Sequence, residues 1–220
     1  MNDDSPAPTA RRRETRERLI DAAAEVFADE GLRGASVESI CSRAGFTRGA
    51  FYSNFSSKEQ LFLATLTHEY DLRVQHLREQ AAQLGPQLGE LCEPLDQTTI
   101  ANFVTEFFAP TNVSVDWFLL ETEFVLLAAR DTELAHAFAE FLGQFETEVS
   151  QVVAELVTTA GRRFTLSVEH AVAVFAALYE RFHRLRALTP DGIDHARELG
   201  DRIAELIFEI TEPSEDTRVQ

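Results

Sequence analysis

Hydrogen-bonding side chains at regular spacing near the N-terminus offer the most specific chemistry in this sequence. Ser36 and Thr47 each stand at the N-cap position of a short helical pattern, and the second pattern carries Arg48, Tyr52 and Asn54. A guanidinium can donate two parallel hydrogen bonds to guanine, and hydroxyl and amide groups suit phosphates and other base edges. These residue types indicate contact with a nucleic acid rather than a covalent reaction.

A glycine between the two short patterns predicts a helix-turn-helix. The sequence Ala44-Gly45-Phe46 places a residue without a Cβ where the turn needs a positive φ angle. Phe51 and Phe55 are four residues apart and predict the buried side of the second helix. The opposite side is predicted to face DNA and carries Arg48, Gly49, Ala50, Tyr52, Ser53 and Asn54.

The charge distribution permits a nucleic-acid partner although the chain as a whole is acidic. The formal net charge is -17, but residues 1–60 hold 9 basic and 10 acidic residues, whereas residues 61–220 hold 11 and 27. Binding to phosphate depends on the local field, so the nearly neutral N-terminal part can approach DNA. The run Arg11-Arg12-Arg13, followed by Arg16 and Arg18, predicts either an arm that reaches DNA or a solvated helix start.

Three segments of this region, taken together, resemble a known family. They read I-D-A-A-A-E-V-F-A-D-E-G from Ile20, S-V-E-S-I from Ser36 and A-G-F-T-R-G-A-F-Y-S-N-F-S-S-K-E-Q-L from Ala44. Over residues 12–65 the chain resembles the DNA-binding domain of the TetR family of transcriptional repressors. The resemblance implies that Ser36 caps a helix against phosphate, that Arg48, Gly49 and Ala50 face bases, and that Tyr52 and Asn54 bind phosphate or base methyls. Asn54 departs from the tyrosine or histidine that the family often has there.

Lys58 has two interpretations. A lysine in the first turn of a helix opposes the helix dipole and is usually solvated. A phosphate held jointly by its ammonium and by the exposed N–H groups of that helix would offset the unfavourable position. The family resemblance implies the phosphate role, which is the one predicted.

After residue 57 the sequence predicts a purely helical body. A long helix is expected from Ser57 to about Leu84, with Leu61, Phe62, Thr65, Leu66 and Leu72 buried and Gly85-Pro86 as its stop. Further helical patterns cover residues 95–109, 114–130, 132–160, 167–188 and 196–210. The predicted fold is all-α: a disordered tail (1–10), a three-helix helix-turn-helix DNA-binding domain (11–57), a helical ligand-binding and dimerisation domain (58–212) and a second tail (213–220).

Two apolar stripes mark the last two helices. Their residues alternate at spacings of three and four and are Val172, Phe175, Tyr179 and Phe182 on the first helix and Leu199, Ile203, Leu206 and Ile210 on the second. Packing on the chain's own core explains such a stripe as well as an interface does. The family resemblance favours an interface, so we expect a homodimer in which these residues complete a four-helix bundle.

Aromatic residues are concentrated in the helices between residues 95 and 185. Bulky rings in a helical bundle can leave an apolar cavity, although most phenylalanines simply form the core. The predicted ligand-binding residues are Phe103, Phe107, Trp117, Phe118, Glu121, Phe124, His136, Phe175 and Tyr179. The corresponding partner is a small apolar or amphipathic effector.

Catalytic and metal-binding patterns are not apparent in the sequence. It contains no G-x-S-x-G, H-E-x-x-H or phosphate loop, and Cys41 and Cys92 have no metal-ligand spacing. His68 and His76 are eight residues apart on one helix and are expected to be exposed. We therefore predict no enzyme activity, cofactor or metal. The lack of an apolar signal region or a membrane-length apolar run predicts a cytoplasmic protein without a membrane partner.

The predicted function is that of a sequence-specific transcriptional regulator. Two recognition helices of a homodimer would enter successive major grooves of double-stranded operator DNA, about 34 Å apart. As a repressor it would leave the operator when the effector binds the helical body. One alternative is a DNA-binding scaffold of the same fold that is regulated by a protein partner without a small-molecule effector. The other is an enzyme with a helical body and a vestigial head.

Overall fold

The computed structural model describes residues 10–90, 97–108, 117–188 and 195–214, and within these ranges the chain is helical apart from one short β-ribbon. The helices are α1 (Ala10–Gly34), α2 (Val37–Ala44), α3 (Arg48–Tyr52), α4 (Lys58–Glu90), α5 (Gln97–Phe108), α6 (Trp117–Ala128), α7 (Thr132–Thr159), α8 (Val168–Leu188) and α9 (His195–Ile210). This confirms the predicted all-α class. The predicted tails at 1–10 and 213–220 lie almost wholly outside the described residues.

The chain forms two compact units. The first contains the described residues up to Glu69 together with residues 117–139, and the second contains those from Tyr70 to Phe108 and from Glu140 onward. The predicted domains, 11–57 and 58–212, were divided by their expected roles in DNA binding and in ligand binding, whereas these units are defined by packing. The predicted division stays a prediction. None of the helices that the structure describes is both long enough and apolar enough to cross a membrane.

A chain of four phenylalanine rings forms the centre of the first unit. Phe27 of α1 meets Phe62 of α4 edge-on at 5.0 Å, and Phe62 stacks on Phe124 of α6 at 5.0 Å. Phe124 in turn meets Phe138 of α7 edge-on at 5.3 Å. Offset and edge-on ring pairs add to the stability that burial alone provides. The rings therefore pack the helix-turn-helix region onto α4, α6 and α7.

The stripes of α8 and α9 face each other within one chain. Val172, Phe175, Phe182, Leu199 and Ile203 are buried in a single cluster. The remaining predicted interface residues, Tyr179, Leu206 and Ile210, pack half-buried against the same cluster. Packing inside the chain leaves the buried members of these stripes little surface for a second copy. The predicted role of the stripes in a dimer interface stays a prediction.

A two-stranded antiparallel ribbon was not predicted. Strand β1 (Arg162–Phe164) pairs with β2 (Thr211–Pro213), with Arg163 opposite Glu212. Arg162 donates hydrogen bonds to the hydroxyl and carbonyl oxygens of Thr211, at 2.7 and 2.8 Å. Three-residue strands are too short to show an alternating pattern in a sequence. The ribbon fastens the end of α9 and includes Pro213, the residue at which the second tail was predicted to begin.

Helix α4 differs from its prediction in length and in its buried face. It continues through Gly85-Pro86 to Glu90, although a proline inside a helix removes one backbone hydrogen bond and usually kinks or ends the helix. Leu72 is 47% exposed rather than buried. The inward positions there are Tyr70, Val74 and Leu77, which continue the face of Leu66 at spacings of four, four and three.

Gly200 allows α9 to lie directly against α5. A Cβ at this position would stand 2.7 Å from the Ala101 carbonyl oxygen and would also collide with the Thr105 hydroxyl. Gly143 of α7, by contrast, has no atom within 4 Å of such a Cβ. The two glycines therefore provide a matched pair of helical positions, one crowded and one open.

We expect Gly200→Ala to lower the free energy of unfolding by about 1–3 kcal/mol, because α5 would have to move away. Gly143→Ala should instead raise it, by up to about 1 kcal/mol, since alanine is the better helix former. Urea denaturation followed by circular dichroism measures both values. Equal effects of the two substitutions would contradict the close approach of α5 and α9.

Candidate nucleic-acid interface

Side-chain caps start both short helices, as predicted. The Ser36 hydroxyl accepts a hydrogen bond from the Ser39 N–H at 3.0 Å, and the Ser39 hydroxyl accepts one from the Ser36 N–H at 3.1 Å. This reciprocal pair is a capping box with serine in the usual place of glutamate. Thr47 caps α3 by accepting from the Ala50 N–H at 3.2 Å. Each cap satisfies a backbone donor that the helix itself leaves unpaired.

The turn between α2 and α3 has the geometry that its glycine predicts. Gly45 adopts φ 71° and ψ 32°, in the left-handed region, and the Phe46 N–H donates to the Cys41 carbonyl at 2.9 Å. Arg18 of α1 donates to the Ala44 carbonyl at 3.0 Å, and its guanidinium lies 4.6 Å from the centre of the Phe46 ring. A cation at the C-terminal end of a helix also interacts favourably with the helix dipole.

Two further arginines of α1 hold the end of α3. Arg12 donates to the Ser53 carbonyl at 3.1 Å, and Arg16 donates to the Asn54 carbonyl at 3.3 Å. Arg16 also lies over the Phe55 ring at 4.3 Å. Burial, and to a smaller extent the charge of Arg12, lowers the pKa of Arg16. The basic run is therefore part of helix α1, and its arginine side chains stay exposed while three of them bind the helix-turn-helix. A contact of this run with DNA stays a prediction.

The two sides of α3 differ as predicted. Phe51 and Phe55 are almost completely buried, whereas Tyr52 is 51% exposed and the Arg48 side chain is 61% exposed. Gly49 and Ser53 are exposed and Ala50 is half-buried. The exposed side thus carries the guanidinium of Arg48, the phenol of Tyr52 and the hydroxyl of Ser53. The small residues Gly49 and Ala50 leave the backbone between them accessible. Its contact with DNA stays a prediction.

Asn54 is turned toward the protein. Its amide nitrogen donates to the Ala50 carbonyl at 2.8 Å and to the Ser53 hydroxyl at 3.2 Å. The Ser53 hydroxyl itself donates to the Ala50 carbonyl at 2.8 Å. Both side chains therefore fasten the last turn of α3, and in this arrangement they would contribute to DNA binding mainly by shaping that helix end.

Lys58 has a role that neither interpretation of the sequence included. Its ammonium donates to the Leu32 carbonyl at 2.7 Å and to the Ala35 carbonyl at 2.8 Å, both at the junction of α1 and α2. The lysine is half-buried and connects the start of α4 to that junction. A phosphate contact would have to use its third N–H, so the predicted phosphate role stays untested beside an evident structural one.

Glu123 of α6 holds the same junction from another side. Gly31 interrupts α1 with φ 70° and ψ 169°, and this frees the Leu32 N–H, which donates to a Glu123 carboxylate oxygen at 3.1 Å. Lys58 thus binds the carbonyls of the junction while Glu123 binds its N–H. Sequence reasoning missed Glu123, because a contact between residues 91 positions apart leaves no local signal.

Glu38 is a second residue that the sequence analysis did not identify. Its carboxylate lies 2.5 Å from an Nη atom of Arg48, so an ion pair joins α2 to the start of α3. The pKa of Arg48 is raised, first by hydrogen bonding to Tyr52 and then by the charge of Glu38. The Arg48 guanidinium also lies 5.8 Å from the centre of the Tyr52 ring.

The residues predicted to bind a ligand are distributed over both compact units. In the first unit Trp117 and Phe124 are buried, Phe118 and Glu121 are half-buried, and His136 is exposed. In the second unit Phe175 is buried in the α8–α9 cluster and Tyr179 packs against it. The side chains of Phe103 and Phe107 lie outside the described part of the structure. Phe124 and Phe175 take part in core packing, and the ligand site stays a prediction.

The described residues contain no candidate metal site, since no three His, Cys, Asp or Glu side chains among them lie close enough together to hold an ion. His68 and His76 lie two turns apart on α4, the first exposed and the second in contact with Gln80 at 2.9 Å. Cys41 is buried, and burial raises the pKa of its thiol.

Substituting Lys58 tests its hold on the α1–α2 junction. We expect Lys58→Met, which keeps the aliphatic stem, to lower the free energy of unfolding by about 1–3 kcal/mol, because two carbonyls lose a charged donor. Arg13→Met is the control, since it removes an exposed cation from α1, and it should change stability by less than about 0.5 kcal/mol. Urea denaturation gives both values, and a Lys58 effect no larger than that of Arg13 would show the contact to be unimportant.

The helix-turn-helix region matches a family model described as "Bacterial regulatory proteins, tetR family" over residues 19–65. The chain is 46% identical over 57 residues to the uncharacterised HTH-type transcriptional regulator TtgW of Pseudomonas putida, which is 26% of this chain and 42% of that protein. It is 41% identical over 68 residues to the HTH-type transcriptional activator FasR of Mycolicibacterium smegmatis, 31% of each chain. The matches thus span less than half the length of these relatives.

Solved structures extend the likeness beyond this region. A protein of Mesorhizobium loti assigned to the TetR family superposes with a TM-score of 0.70 at 17% identity, over 92% of this chain and 99% of that one. NemR of Escherichia coli, in its reduced form, superposes with a TM-score of 0.59 at 16% identity, over 91% and 99%. At such identities the likeness concerns the fold. In its helix-turn-helix region the chain is therefore similar to the TetR family of bacterial regulatory proteins, and along most of its length it shares the fold of these solved structures.

Proposed function

We propose that this protein is a sequence-specific transcriptional regulator that reads the major groove of double-stranded DNA with α3. The observation that carries the proposal is the exposed side of α3, where Arg48 and Tyr52 project from a helix whose other side is buried through Phe51. An arginine at the start of a recognition helix can form two parallel hydrogen bonds with a guanine. Thr47 at its start and Arg12 and Arg16 of α1 at its end hold that helix in place.

The active form in this proposal is a homodimer. A two-fold axis would present two α3 helices to half-sites about 34 Å apart on a pseudo-palindromic operator. Because the stripes of α8 and α9 are used inside the chain, the contact with the second copy would involve the outer side of α8 instead. That side carries Val174, Leu185 and Leu188, which are 46%, 37% and 73% exposed, along one stripe of the helix.

The proposed output is repression that a small apolar or amphipathic molecule relieves by binding the helical body. One structural neighbour, FadR of Bacillus subtilis, was solved in complex with stearoyl-CoA, which is amphipathic. Another, a regulator of Saccharomonospora viridis, was solved in complex with choline, a small organic cation. Such a ligand acts only through its different affinities for the DNA-binding and the released forms. FasR is named an activator, so a reporter assay has to establish the direction of control.

Selection of bound sequences from random double-stranded DNA tests the DNA-reading function. We expect the wild-type protein to enrich a pseudo-palindrome. Arg48→Ala should then lose roughly 5- to 150-fold in affinity for it, as the loss of one bidentate base contact implies, and should accept other bases at one position of each half-site. Arg163→Ala, which removes an exposed arginine in the second unit, is the control. Enrichment of no sequence, or equal losses for the two variants, would refute α3 as the reading helix.

A charge on the outer side of α8 tests the proposed dimer face. Val174→Glu should weaken dimerisation at least about tenfold, because a carboxylate would lose its hydration at an apolar contact. Leu72→Glu is a matched control, since Leu72 of α4 is 47% exposed and Val174 is 46% exposed. Sedimentation equilibrium measures both constants. A wild-type monomer at the concentrations that bind DNA, or equal weakening by the two variants, would contradict this interface.

A further inference from the structure

The ion pair between Glu38 and Arg48 places a carboxylate beside the residue proposed to read DNA. Glu38 lies in the first turn of α2, and its carboxylate contacts an Nη atom of Arg48, the first residue of α3, at 2.5 Å. Both side chains are about 60% exposed. The α2 backbone at Glu38 is fixed by the capping box of Ser36 and Ser39, so the carboxylate extends from a well-anchored turn.

Folding stability gives little reason for this pair. Exposed ion pairs contribute little to stability, because water solvates both charges and two long side chains must be ordered to form them. A carboxylate close to a DNA-binding surface also repels phosphates. The Glu38 carboxylate is therefore unfavourable for general DNA affinity and close to neutral for folding stability. This suggests that its role is to influence the Arg48 side chain.

The geometry leaves Arg48 able to bind a base while Glu38 holds it. A guanidinium has five N–H donors in a fixed plane, and the Glu38 carboxylate engages one of its Nη atoms. Glu38 does not engage the edge formed by Nε and the other Nη, which has the two-donor shape that matches guanine O6 and N7. The guanidinium also hydrogen-bonds to Tyr52. The Tyr52 ring, 5.8 Å from the guanidinium, restricts the side chain further.

We propose that Glu38 is a positioning residue, which holds the Arg48 guanidinium in the orientation that reads a guanine and thereby sets the base preference at that position. This inference rests on the proposed function of α3. Ordering a long side chain before binding removes part of the entropy cost of the base contact. Repulsion between Glu38 and phosphates weakens binding to every sequence, so both effects raise the ratio of specific to non-specific affinity.

The test compares base preferences of charge-neutral variants on the selected operator. Dissociation constants are measured for the operator with guanine and with each other base at the Arg48 position. We expect Glu38→Gln to reduce the preference for guanine about two- to tenfold, the range that ordering one side chain implies, with equal or tighter binding to unrelated DNA. Glu25→Gln is the control, because Glu25 forms a similar exposed ion pair with Arg43 at 2.6 Å. It should leave the preference unchanged.

A double-mutant cycle isolates the action through Arg48. In an Arg48→Ala background, Glu38→Gln should have no further effect on base preference, since the group that it positions is gone. Circular dichroism establishes that each variant is folded, and Arg48→Lys, which keeps the charge but loses the planar fork, should lose the guanine preference in a second, independent way.

The outcomes separate this inference from the function on which it rests. If the wild-type protein enriches no sequence, the proposed function itself fails. If the wild-type protein enriches an operator but Glu38→Gln and the control Glu25→Gln prefer guanine equally strongly, only the positioning role of Glu38 is refuted. Tighter operator binding by Glu38→Gln with an unchanged preference would also refute it, because Glu38 would then be a competitor of DNA for Arg48.

Discussion

The presentation of α3 depends on hydrogen bonds that satisfy both ends of a very short helix. Five residues form a single turn and a half, which is far too short to be stable alone in water. Thr47 satisfies a donor at its start, while Arg12 and Arg16 of α1 bind the Ser53 and Asn54 carbonyls just past its end. With Phe51 buried beneath it, α3 becomes a rigid platform for exposed side chains. The position of α3 in the candidate interface thus depends on its contacts with helix α1.

The cations near the N-terminus are largely engaged in contacts within the protein, and this bears on how an acidic chain could recognise DNA. Several positive charges of the N-terminal region are already hydrogen-bonded inside the protein: those of Arg12, Arg16, Arg18 and Lys58 bind backbone carbonyls, and Arg43 pairs with Glu25 and Asp29. Each phosphate contact by a free cation would steepen the slope of log binding constant against log salt concentration by about 0.9. With so many cations engaged, recognition in this proposal relies more on the base contact of Arg48, which is where Glu38 acts.

Local signals in the sequence were sufficient to predict the helix-turn-helix. The caps at Ser36 and Thr47, the left-handed Gly45 and the buried pair Phe51 and Phe55 each depend on residues within one or two turns. Contacts between distant segments were not predictable in this way. Glu123 reaches Leu32 across 91 positions, Lys58 reaches Leu32 across 26, and the ribbon joins strands of three residues each. The α8 and α9 stripes show a further limit, because periodicity marks a packed face without naming its partner.

The most direct test of α3 as the reading helix is methylation of single guanines at N7 in the selected operator. N7 lies in the major groove, where Arg48 is proposed to donate a hydrogen bond, and a methyl group there removes the acceptor. At one guanine of each half-site, methylation should weaken wild-type binding at least about tenfold and should leave Arg48→Ala unaffected. Equal binding of all the methylated operators, or the same loss for wild type and Arg48→Ala, would contradict the assignment of Arg48 as the base-reading residue.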